Sequence, residues 1–390
     1  MKLHDIVLLS TADWDNPFWT NKQHVAVELA RQGHRVLYLD SLGLRRPSAS
    51  ARDLRRVGRR LLKAMRTPRQ VRENLWVWSP IVLPWHTNPL VRRLNRALLS
   101  AGLWTWLKLL GLRRDWLWTY NPLSTEFFDL RTFALCIYHC VDEIKAQPGM
   151  PVEVLERVEE QLCHEADIVF TTSTQLTETR RRWNQNTHYL PNVADFGHFQ
   201  AALDESTSLP ADLAAIPGPR LGFIGAISGY KINFQLIRHL AKCRPDWSVV
   251  LIGEVGEGDP WTDVSLLRGL PNLHLLGPRP YSDLPSYLKG FDVALLPNQV
   301  NEYTDSMFPM KFFEYLAAGR LVASVRLKAL LDFQDVVAMA DSPEQMVSVV
   351  ERLLAGNGPS LERRLEVAQG HTYQGRTSRM LALAEEARPS

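Results

Sequence analysis

Residues 305–319 have the sequence DSMFPMKFFEYLAAG, which predicts a helix that begins near Pro309 and ends before Gly319. Proline suits the first turn of a helix, and glycine suits the turn that ends one. The apolar segment LVASV at 321–325 follows at once and has the character of a buried strand. A helix that leads into a buried strand through one turn is a building block of parallel α/β sheets.

The rest of the chain shows the same alternation. Downstream of residue 220 the sequence predicts strands and helices at 221–225, 233–242, 248–252, 273–276, 284–289 and 293–296. Upstream it predicts them at 6–10, 22–32, 36–39, 75–78, 116–120, 133–138, 152–164 and 168–172. Two such series predict two doubly wound, Rossmann-like α/β domains in tandem. A central cleft would then hold ligands beyond the carboxyl ends of the strands.

The composition limits the class of protein. The chain has 390 residues, with 45 Lys and Arg against 42 Asp and Glu, and this near balance argues against a nucleic-acid-binding protein. Its four cysteines are too few for a disulfide scaffold. No window approaches the roughly 18 apolar residues that a membrane-spanning helix needs. We therefore expect a soluble, cytoplasmic protein.

The start of the predicted helix at 309–318 is a candidate anion site. Backbone N–H groups near Met307, Phe308 and Met310 would lie at the positive end of the helix dipole, where a pyrophosphate can bind. Lys311 opposes that dipole, so an anionic ligand explains it better than helix stability does. The Glu314 carboxylate would then accept both hydroxyls of a ribose. An ordinary solvated helix is the alternative.

A second candidate anion site follows the predicted strand at 221–225. The segment 222–231, GFIGAISGYK, places Gly225 directly after the strand and Lys231 shortly beyond it. Glycines in such a turn let the backbone approach a phosphate closely. The spacing matches neither the dinucleotide fingerprint nor the P-loop, so a simple strand-to-helix turn is an equal alternative.

These segments, with others, resemble the GT-B glycosyltransferases that use nucleotide-sugar donors, above all bacterial polysaccharide and teichuronic-acid-type enzymes. The resemblance is carried by TNKQH at 20–24, EADIV at 165–169, LPNVADF at 190–196, FIGA at 223–226 and FEYLAAG at 313–319. It implies an acceptor-binding domain at 1–205 and a donor-binding domain at 219–370. A Pro-, Ala- and Ser-rich stretch predicts the linker at 206–218, and a final helix at 371–390 is expected to pack back toward the first domain.

The resemblance also implies roles in donor binding. Glu314 matches the second glutamate of the family's E-x7-E motif, which binds the ribose, whereas the first glutamate position holds Ser306. Lys231 matches the lysine that holds the diphosphate, but its arginine partner is replaced by Ala226. Lys311 is the candidate substitute for that arginine, and Arg279 is a weaker one. Tyr281 belongs to the loop that the resemblance implies beside the nucleobase.

The segment after the predicted strand at 133–138 is the candidate catalytic loop. Transfer with inversion needs a base that takes the proton of the acceptor hydroxyl. Asp142 is the leading candidate, because some polysaccharide-type relatives place an aspartate here. Glu143 and His139 are the runners-up, with a surface glutamate and a hydrogen-bonded histidine as their structural explanations.

Polar and aromatic residues surround the loop after the first strand. The polar group is the candidate acceptor site, and it consists of Asp13, Asp15, Asn21 and His24. Aromatic rings beside it would stack on an acceptor sugar, and they are Trp14, Phe18 and Trp19. Helix capping and core packing explain the same residues equally well.

No metal or cofactor is expected. Strand alternation places Cys136 and Cys140 on one face and His139 on the other, which disfavours a zinc site. Helix N-termini and lysines can neutralise a leaving diphosphate without a metal ion.

The region at about 41–118 is basic and aromatic. Between Ser41 and Arg72 there are eleven Lys or Arg and one acid, Asp53. The segment 91–114 combines tryptophans and basic residues with an aliphatic helix, as an interfacial membrane contact requires. We predict peripheral contact with the anionic inner face of the cytoplasmic membrane. A solvated charged face and a buried core helix are the alternatives.

These features predict a hexosyltransferase-type glycosyltransferase of bacterial cell-surface polysaccharide synthesis. It would move a sugar from a nucleotide-diphosphate-sugar donor to a glycan or lipid-linked acceptor. The alternatives are a nucleotide-sugar 2-epimerase of the same fold and a catalytically silent GT-B protein that binds glycans or acts as a scaffold.

Overall fold

The computed structural model describes residues 2–16, 19–42, 67–80, 82–83, 89–257, 259 and 261–387. The chain divides into two compact units. The first unit comprises Met1–Lys145, Gly149–Leu190 and Thr377–Ser390, and the second comprises Ala146–Pro148 and Pro191–Arg376. No helix among the described residues combines the length and apolar character needed to cross a membrane.

The first unit is built on one sheet. Its strands are β1 (Asp5–Leu9), β2 (Arg35–Leu39), β3 (Arg69–Arg72), β4 (Leu75–Trp78), β5 (Trp116–Thr119), β6 (Leu135–Cys140), β7 (Ile168–Thr171) and β8 (Thr187–Tyr189). They lie in the order β3–β4–β2–β1–β5–β6–β7–β8, and only the β3–β4 pair is antiparallel. The carboxyl ends of the parallel strands therefore share one edge of the sheet.

Helices cover this sheet. The described helices are α1 (Asn21–Arg31), α2 (Pro89–Leu109), α3 (Ser124–Phe127), α4 (Val152–Glu165) and α5 (Thr174–Arg181). Helix α4 shows why the sequence folds this way, because Leu155, Val158 and Leu162 share one face and are buried in the core. The sequence analysis predicted a helix at this position, over 152–164.

The second unit repeats the plan with a fully parallel sheet. Its strands are β9 (Arg220–Ile224), β10 (Ser248–Ile252), β11 (Leu273–Leu275), β12 (Val293–Leu296), β13 (Leu321–Val325) and β14 (Ala338–Ala340). Their order is β11–β10–β9–β12–β13–β14. The order reverses beside β9, and such switch points are where open α/β sheets bind ligands.

The helices of the second unit are α6 (Phe196–Gln200), α7 (Ala211–Ala214), α8 (Phe234–Cys243), α9 (Leu284–Lys289), α10 (Glu302–Asp305), α11 (Met310–Ala317), α12 (Pro343–Leu354), α13 (Leu361–Gln369) and α14 (Tyr373–Glu386), the last of which continues into the first unit. The helices predicted at 233–242, 284–289 and 309–318 are present as α8, α9 and α11, and the second unit contains further helices that were not predicted. Gly319 has a φ of +70°, the left-handed conformation that lets α11 end and β13 begin.

The unit boundary differs from the sequence expectation. It lies between Leu190 and Pro191, and the expected linker at 206–218 belongs to the second unit. The reason is that Leu213 and Ile216 are buried in the core of that unit. Burying one such side chain stabilises a fold by about 1.5–3 kcal/mol, so this proline-rich stretch is held in place.

The chain's end also crosses the unit boundary. From Thr377 onward, helix α14 belongs to the first unit, where Glu385 pairs with His4 and Ser378 donates to Gln32 Oε1 at 3.3 Å. The predicted final helix at 371–390 is thus present over Tyr373–Glu386.

Candidate functional site

The first turns of helix α11 carry an ion pair, Lys311–Glu314, which we call the central pair. Glu314 is only 3% exposed, and its Oε2 lies 2.7 Å from Lys311 Nζ. Burial raises the pKa of Glu314, while the Lys311 charge acts in the opposite direction. A buried carboxylate held by a partly exposed ammonium is suited to accept hydrogen bonds from the hydroxyl groups of a ligand.

Tyr281 and His198 form an aromatic pair in the second unit. The Tyr281 ring stacks on His198 with 4.3 Å between ring centroids, and His198 Nε2 lies 2.9 Å from the Tyr281 carbonyl oxygen. Burial, followed by the Glu314 charge, raises the pKa of the Tyr281 hydroxyl. Tyr281, expected beside the nucleobase, is therefore within electrostatic range of Glu314.

The loop after β9 holds the second predicted cation. Lys231 Nζ lies over the rings of Tyr230 and Tyr303, at 5.3 and 5.6 Å from their centroids. Gly225 opens the loop, and a Cβ on Gly253 would lie 1.8 Å from the Gly225 carbonyl oxygen. Only glycine at 253 therefore allows the loops after β9 and β10 to approach each other.

Glu257 is a candidate site residue that the sequence analysis missed. Its turn is joined to the Lys231 loop, since Ile227 N donates to Glu254 O at 3.0 Å and Gly256 N donates to Ile227 O at 3.0 Å. Burial raises the pKa of Glu257, and the charges of Lys231 and Lys311 lower it. The signal for it was an acid soon after the carboxyl end of a predicted strand.

Three residues that were predicted to bind the nucleotide-sugar donor make contacts within the fold instead. Met307 N donates to Thr304 O at 3.4 Å, so this N–H is not an open anion ligand as predicted. Phe308 is buried, with its ring stacked on Phe313 at 5.2 Å, and its carbonyl oxygen accepts from Asn192. Ser306, at the position of the missing glutamate, is buried and ends helix α10.

Arg279 makes contacts within the fold. Its Nη2 lies 2.6 Å from Asp212 Oδ2, and its Nε donates to the Tyr287 hydroxyl at 2.6 Å. The predicted role as a substitute phosphate cation is therefore replaced by a contact that fixes α7 to α9.

In the first unit, two of the three catalytic candidates are structural. Strand β6 runs through Cys140, so His139 lies inside the strand, fully buried, with its ring 4.7 Å from that of Tyr120. Glu143 is buried as well, and its Oε1 and Oε2 lie 2.8 and 2.5 Å from the two Nη atoms of Arg180. Neither side chain is open to a substrate, because the strand extends two residues beyond its predicted end at residue 138 and Arg180 covers the glutamate.

Asp142 remains accessible. Its carboxylate is 32% exposed, and Oδ2 lies 3.9 Å from Lys22 Nζ at the start of α1. The residue sits two positions beyond the end of β6, at the carboxyl edge of the sheet.

The predicted acceptor residues are mostly engaged within the unit. Asp15 pairs with Arg69 on strand β3, and the Asp13 carbonyl oxygen accepts from Gln23 Nε2 at 3.1 Å. Asn21 and His24 are buried in the first turn of α1.

The aromatic residues beside them pack rather than form an open platform. Trp14 is buried, with its ring 5.2 Å from that of Tyr38, because its backbone N–H donates to Asp40 and holds the loop inward. Trp19 packs on Trp14 and His24. Phe18 lies outside the described residues.

The basic and aromatic region is described only in part. Residues 43–66, with most of the basic run, lie outside the described residues. Helix α2 buries Leu99, Leu103 and Leu107, so the predicted apolar helix does contribute to the core.

Two Rossmann-like units, one with a largely parallel sheet and one with a fully parallel sheet, have the architecture of the GT-B class. The predicted fold of two doubly wound, Rossmann-like α/β units is confirmed. Residues 218–356, which lie in the second unit, match the family described as Glycosyl transferases group 1.

Comparison with known proteins agrees with this class. The chain is 28% identical over 261 residues to the putative teichuronic acid biosynthesis glycosyltransferase TuaH of Bacillus subtilis (strain 168). This match covers 62% of the chain and 64% of the relative, just under two thirds of its length.

Solved structures share the fold across both units. Sucrose-phosphate synthase from Thermosynechococcus elongatus has a TM-score of 0.69 at 15% identity, with 98% of each chain covered. HepE of Anabaena in complex with UDP has a TM-score of 0.62 at 14% identity, with 98% of this chain and 100% of HepE covered. At these identities the likeness establishes the fold.

Proposed function

We propose that the protein is a glycosyltransferase that moves a sugar from a nucleotide-diphosphate-sugar donor to a glycan or lipid-linked acceptor in cell-surface polysaccharide synthesis. The observation that carries this proposal is the Lys311–Glu314 pair at the start of α11, within the domain that matches the glycosyl transferase family. The similarity of the chain to the putative teichuronic acid biosynthesis glycosyltransferase TuaH supports a role in polysaccharide synthesis.

The donor chemistry follows from these side chains. Glu314 would accept the ribose hydroxyls, while Lys231 and Lys311 place positive charge where the diphosphate develops its negative charge as it leaves. The HepE structures contain UDP and UDP-glucose, which makes UDP the first nucleotide to test.

On the acceptor side, Asp142 is the proposed general base. In transfer with inversion the bond from the sugar to the diphosphate breaks, the acceptor oxygen forms the new bond, and the hydroxyl proton goes to Asp142. Asp142→Asn should lower turnover by about 10²–10⁴-fold while nucleotide binding stays unchanged. Unchanged turnover in an active preparation would exclude Asp142 as the base.

A thermal-shift screen against UDP, GDP, dTDP, CMP and ADP tests the donor site. One nucleoside diphosphate should stabilise the protein, and Lys231→Ala and Glu314→Ala should each remove most of that shift. Lys242→Ala, an exposed cation on α8, is the matched control and should behave like the wild type. If no nucleotide stabilises the protein at millimolar concentration, the donor proposal fails and the silent-scaffold alternative takes its place.

Helix α2 supports the proposed contact with an anionic membrane surface. Its solvent face exposes apolar side chains, with Leu90 70%, Leu109 69% and Trp104 54% exposed. Cations flank them, since Arg93 and Arg96 are exposed and Lys108 Nζ lies 5.2 Å from the centroid of Trp104. Apolar and tryptophan side chains beside basic residues suit the lipid interface.

Vesicle sedimentation tests this contact. The protein should bind vesicles that contain an anionic lipid, more weakly at high salt, and Leu94→Glu with Leu98→Glu should reduce binding about tenfold or more. Val152→Glu is the control, because Val152 is an exposed apolar residue on another helix of the same unit. Equal loss in both variants, or no binding, would contradict the proposal.

A further inference from the structure

The second sheet has a cationic cavity at the end opposite the donor residues. It has a volume of about 310 Å³ and is bordered by Arg220, Lys289, Arg320 and Arg364. Arg220 begins β9, whereas Gly225 follows the end of that strand. At about 3.3 Å per residue the two ends of β9 are roughly 15 Å apart, so the cavity is separate from the loop after β9 that carries Lys231.

The charges around this cavity do not balance. Four cationic side chains line it, and Asp292 is the only carboxylate among the described lining residues. The Asp292 carboxylate also accepts a hydrogen bond from Arg220 N at 2.6 Å. Arg364 is only 9% exposed, and burial together with the nearby Arg320 lowers its pKa to about 10. Like charges kept near each other in a partly dehydrated place are costly unless an anion compensates them.

Backbone carbonyl oxygens accept some of the hydrogen bonds that the guanidinium groups of these arginines can donate. Arg320 donates to the carbonyl oxygens of Ala318, Lys289 and Phe291 at 3.0–3.2 Å, and Arg364 donates to Gly319 O. These carbonyls lie at the ends of α9 and α11, where the helix dipole is negative. Two helix ends supply about half a charge each, so a net positive charge remains.

Donors also remain. A guanidinium has five N–H groups, and in the described part of the chain the hydrogen bonds of Arg220, Arg320 and Arg364 use only Nε and Nη1. The Nη2 groups are therefore left for a ligand. Planar guanidinium groups bind tetrahedral oxyanions through paired hydrogen bonds, which makes phosphate the matching chemistry.

We propose that this cavity is a phosphate-binding site, distinct from the donor site, that accepts inorganic phosphate or the phosphate group of a small metabolite. Liquid water occupies roughly 30 Å³ per molecule, so the cavity has room for about ten waters and admits more than a lone phosphate. This proposal does not depend on the glycosyltransferase activity.

Isothermal titration with inorganic phosphate and with a hexose 6-phosphate, at constant ionic strength, tests the site. The measurements use the Lys231→Gln background, which weakens phosphate binding at the donor residues. Tighter binding of the hexose 6-phosphate would identify a phosphate ester as the ligand, and equal or tighter binding of phosphate would identify the free ion. Absence of binding by both would overturn the proposal.

Two variants locate the binding. Lys289→Met removes a cation and should weaken binding about fivefold to tenfold, whereas Asp292→Asn removes the opposing carboxylate and should tighten it by a similar factor. Arg268→Gln, an exposed cation away from the cavity, is the matched control and should leave the affinity unchanged.

The Asp292→Asn variant keeps the inference testable without loss of folding. Its side-chain amide still offers an oxygen to Arg220 N, and a purely structural role for these arginines predicts no gain in phosphate affinity. Circular dichroism without phosphate should match the wild type, while the melting temperature without phosphate should fall slightly because the carboxylate that offsets the arginines is lost. If Asp292→Asn does not tighten binding, or Lys289→Met binds like Arg268→Gln, phosphate binds elsewhere and the proposal is wrong.

Discussion

Each unit buries a cluster of acidic and basic side chains, and the two clusters differ in how far they are closed. In the first unit Arg180 is 1% exposed and bonds both Glu143 and Glu159, while Tyr138 donates to Glu159 at 2.6 Å. In the second unit Glu314 is similarly buried, but its partner Lys311 is 25% exposed. A closed cluster can only hold the fold, whereas a cluster with an accessible cation can exchange its partner for a ligand.

The largest expected effect comes from breaking the closed cluster. Arg180→Met leaves two carboxylates buried without their cation, so the free energy of unfolding should fall by about 3–5 kcal/mol. Urea denaturation measures this change. Arg182→Met, an exposed arginine just beyond helix α5, is the control and should change stability by less than about 0.5 kcal/mol. A similar small change in both variants would show that the cluster does not stabilise the unit.

Matched glutamine variants sharpen the comparison. Glu314→Gln should weaken nucleoside diphosphate binding about 10- to 100-fold, because it removes a charged acceptor worth about 1.5–3 kcal/mol, with little change in stability. Glu143→Gln should instead lower the free energy of unfolding by about 1–3 kcal/mol and leave nucleotide binding unaltered. Titration calorimetry and denaturation on both variants check this. The opposite pattern would reverse the assignment of the two clusters.

A variant of Lys231 tests the phosphate contact proposed for the loop after β9. Lys231→Gln should weaken nucleoside diphosphate binding about fivefold and flatten its salt dependence, since one charge contact to the diphosphate is lost. Binding of the corresponding nucleoside should not change. A nucleoside affinity that falls equally would show that Lys231 acts through the loop rather than through phosphate.

The pH dependence of stability gives the smallest effect. Because the pKa of Glu314 is raised above its ordinary value near 4.5, the folded protein binds this proton more tightly than the unfolded chain does. This contribution favours the fold at acid pH and is lost as the pH rises through the interval between the unfolded and folded pKa values. The stability of the wild type relative to Glu314→Gln should therefore decrease as the pH rises. A constant or increasing difference would contradict the raised pKa.

The sequence by itself determined the order of strands and helices and the position of the central pair. Apolar spacing placed α4 and β10, and the Pro309–Gly319 punctuation placed α11 with Lys311 and Glu314 near its start. These are local properties, since periodicity, helix entry and helix exit depend on residues a few positions apart.

Tertiary structure alone decided which polar residues stay open. His139 and Glu143 stand close to Asp142 in the sequence, yet β6 and Arg180 bury the first two and leave the third accessible. Glu257 and the cationic cavity at Arg364 depend on residues brought together from distant parts of the second unit. Burial and long-range pairing are set by packing between elements, which no local pattern encodes, so the same side chain can serve the fold or a ligand.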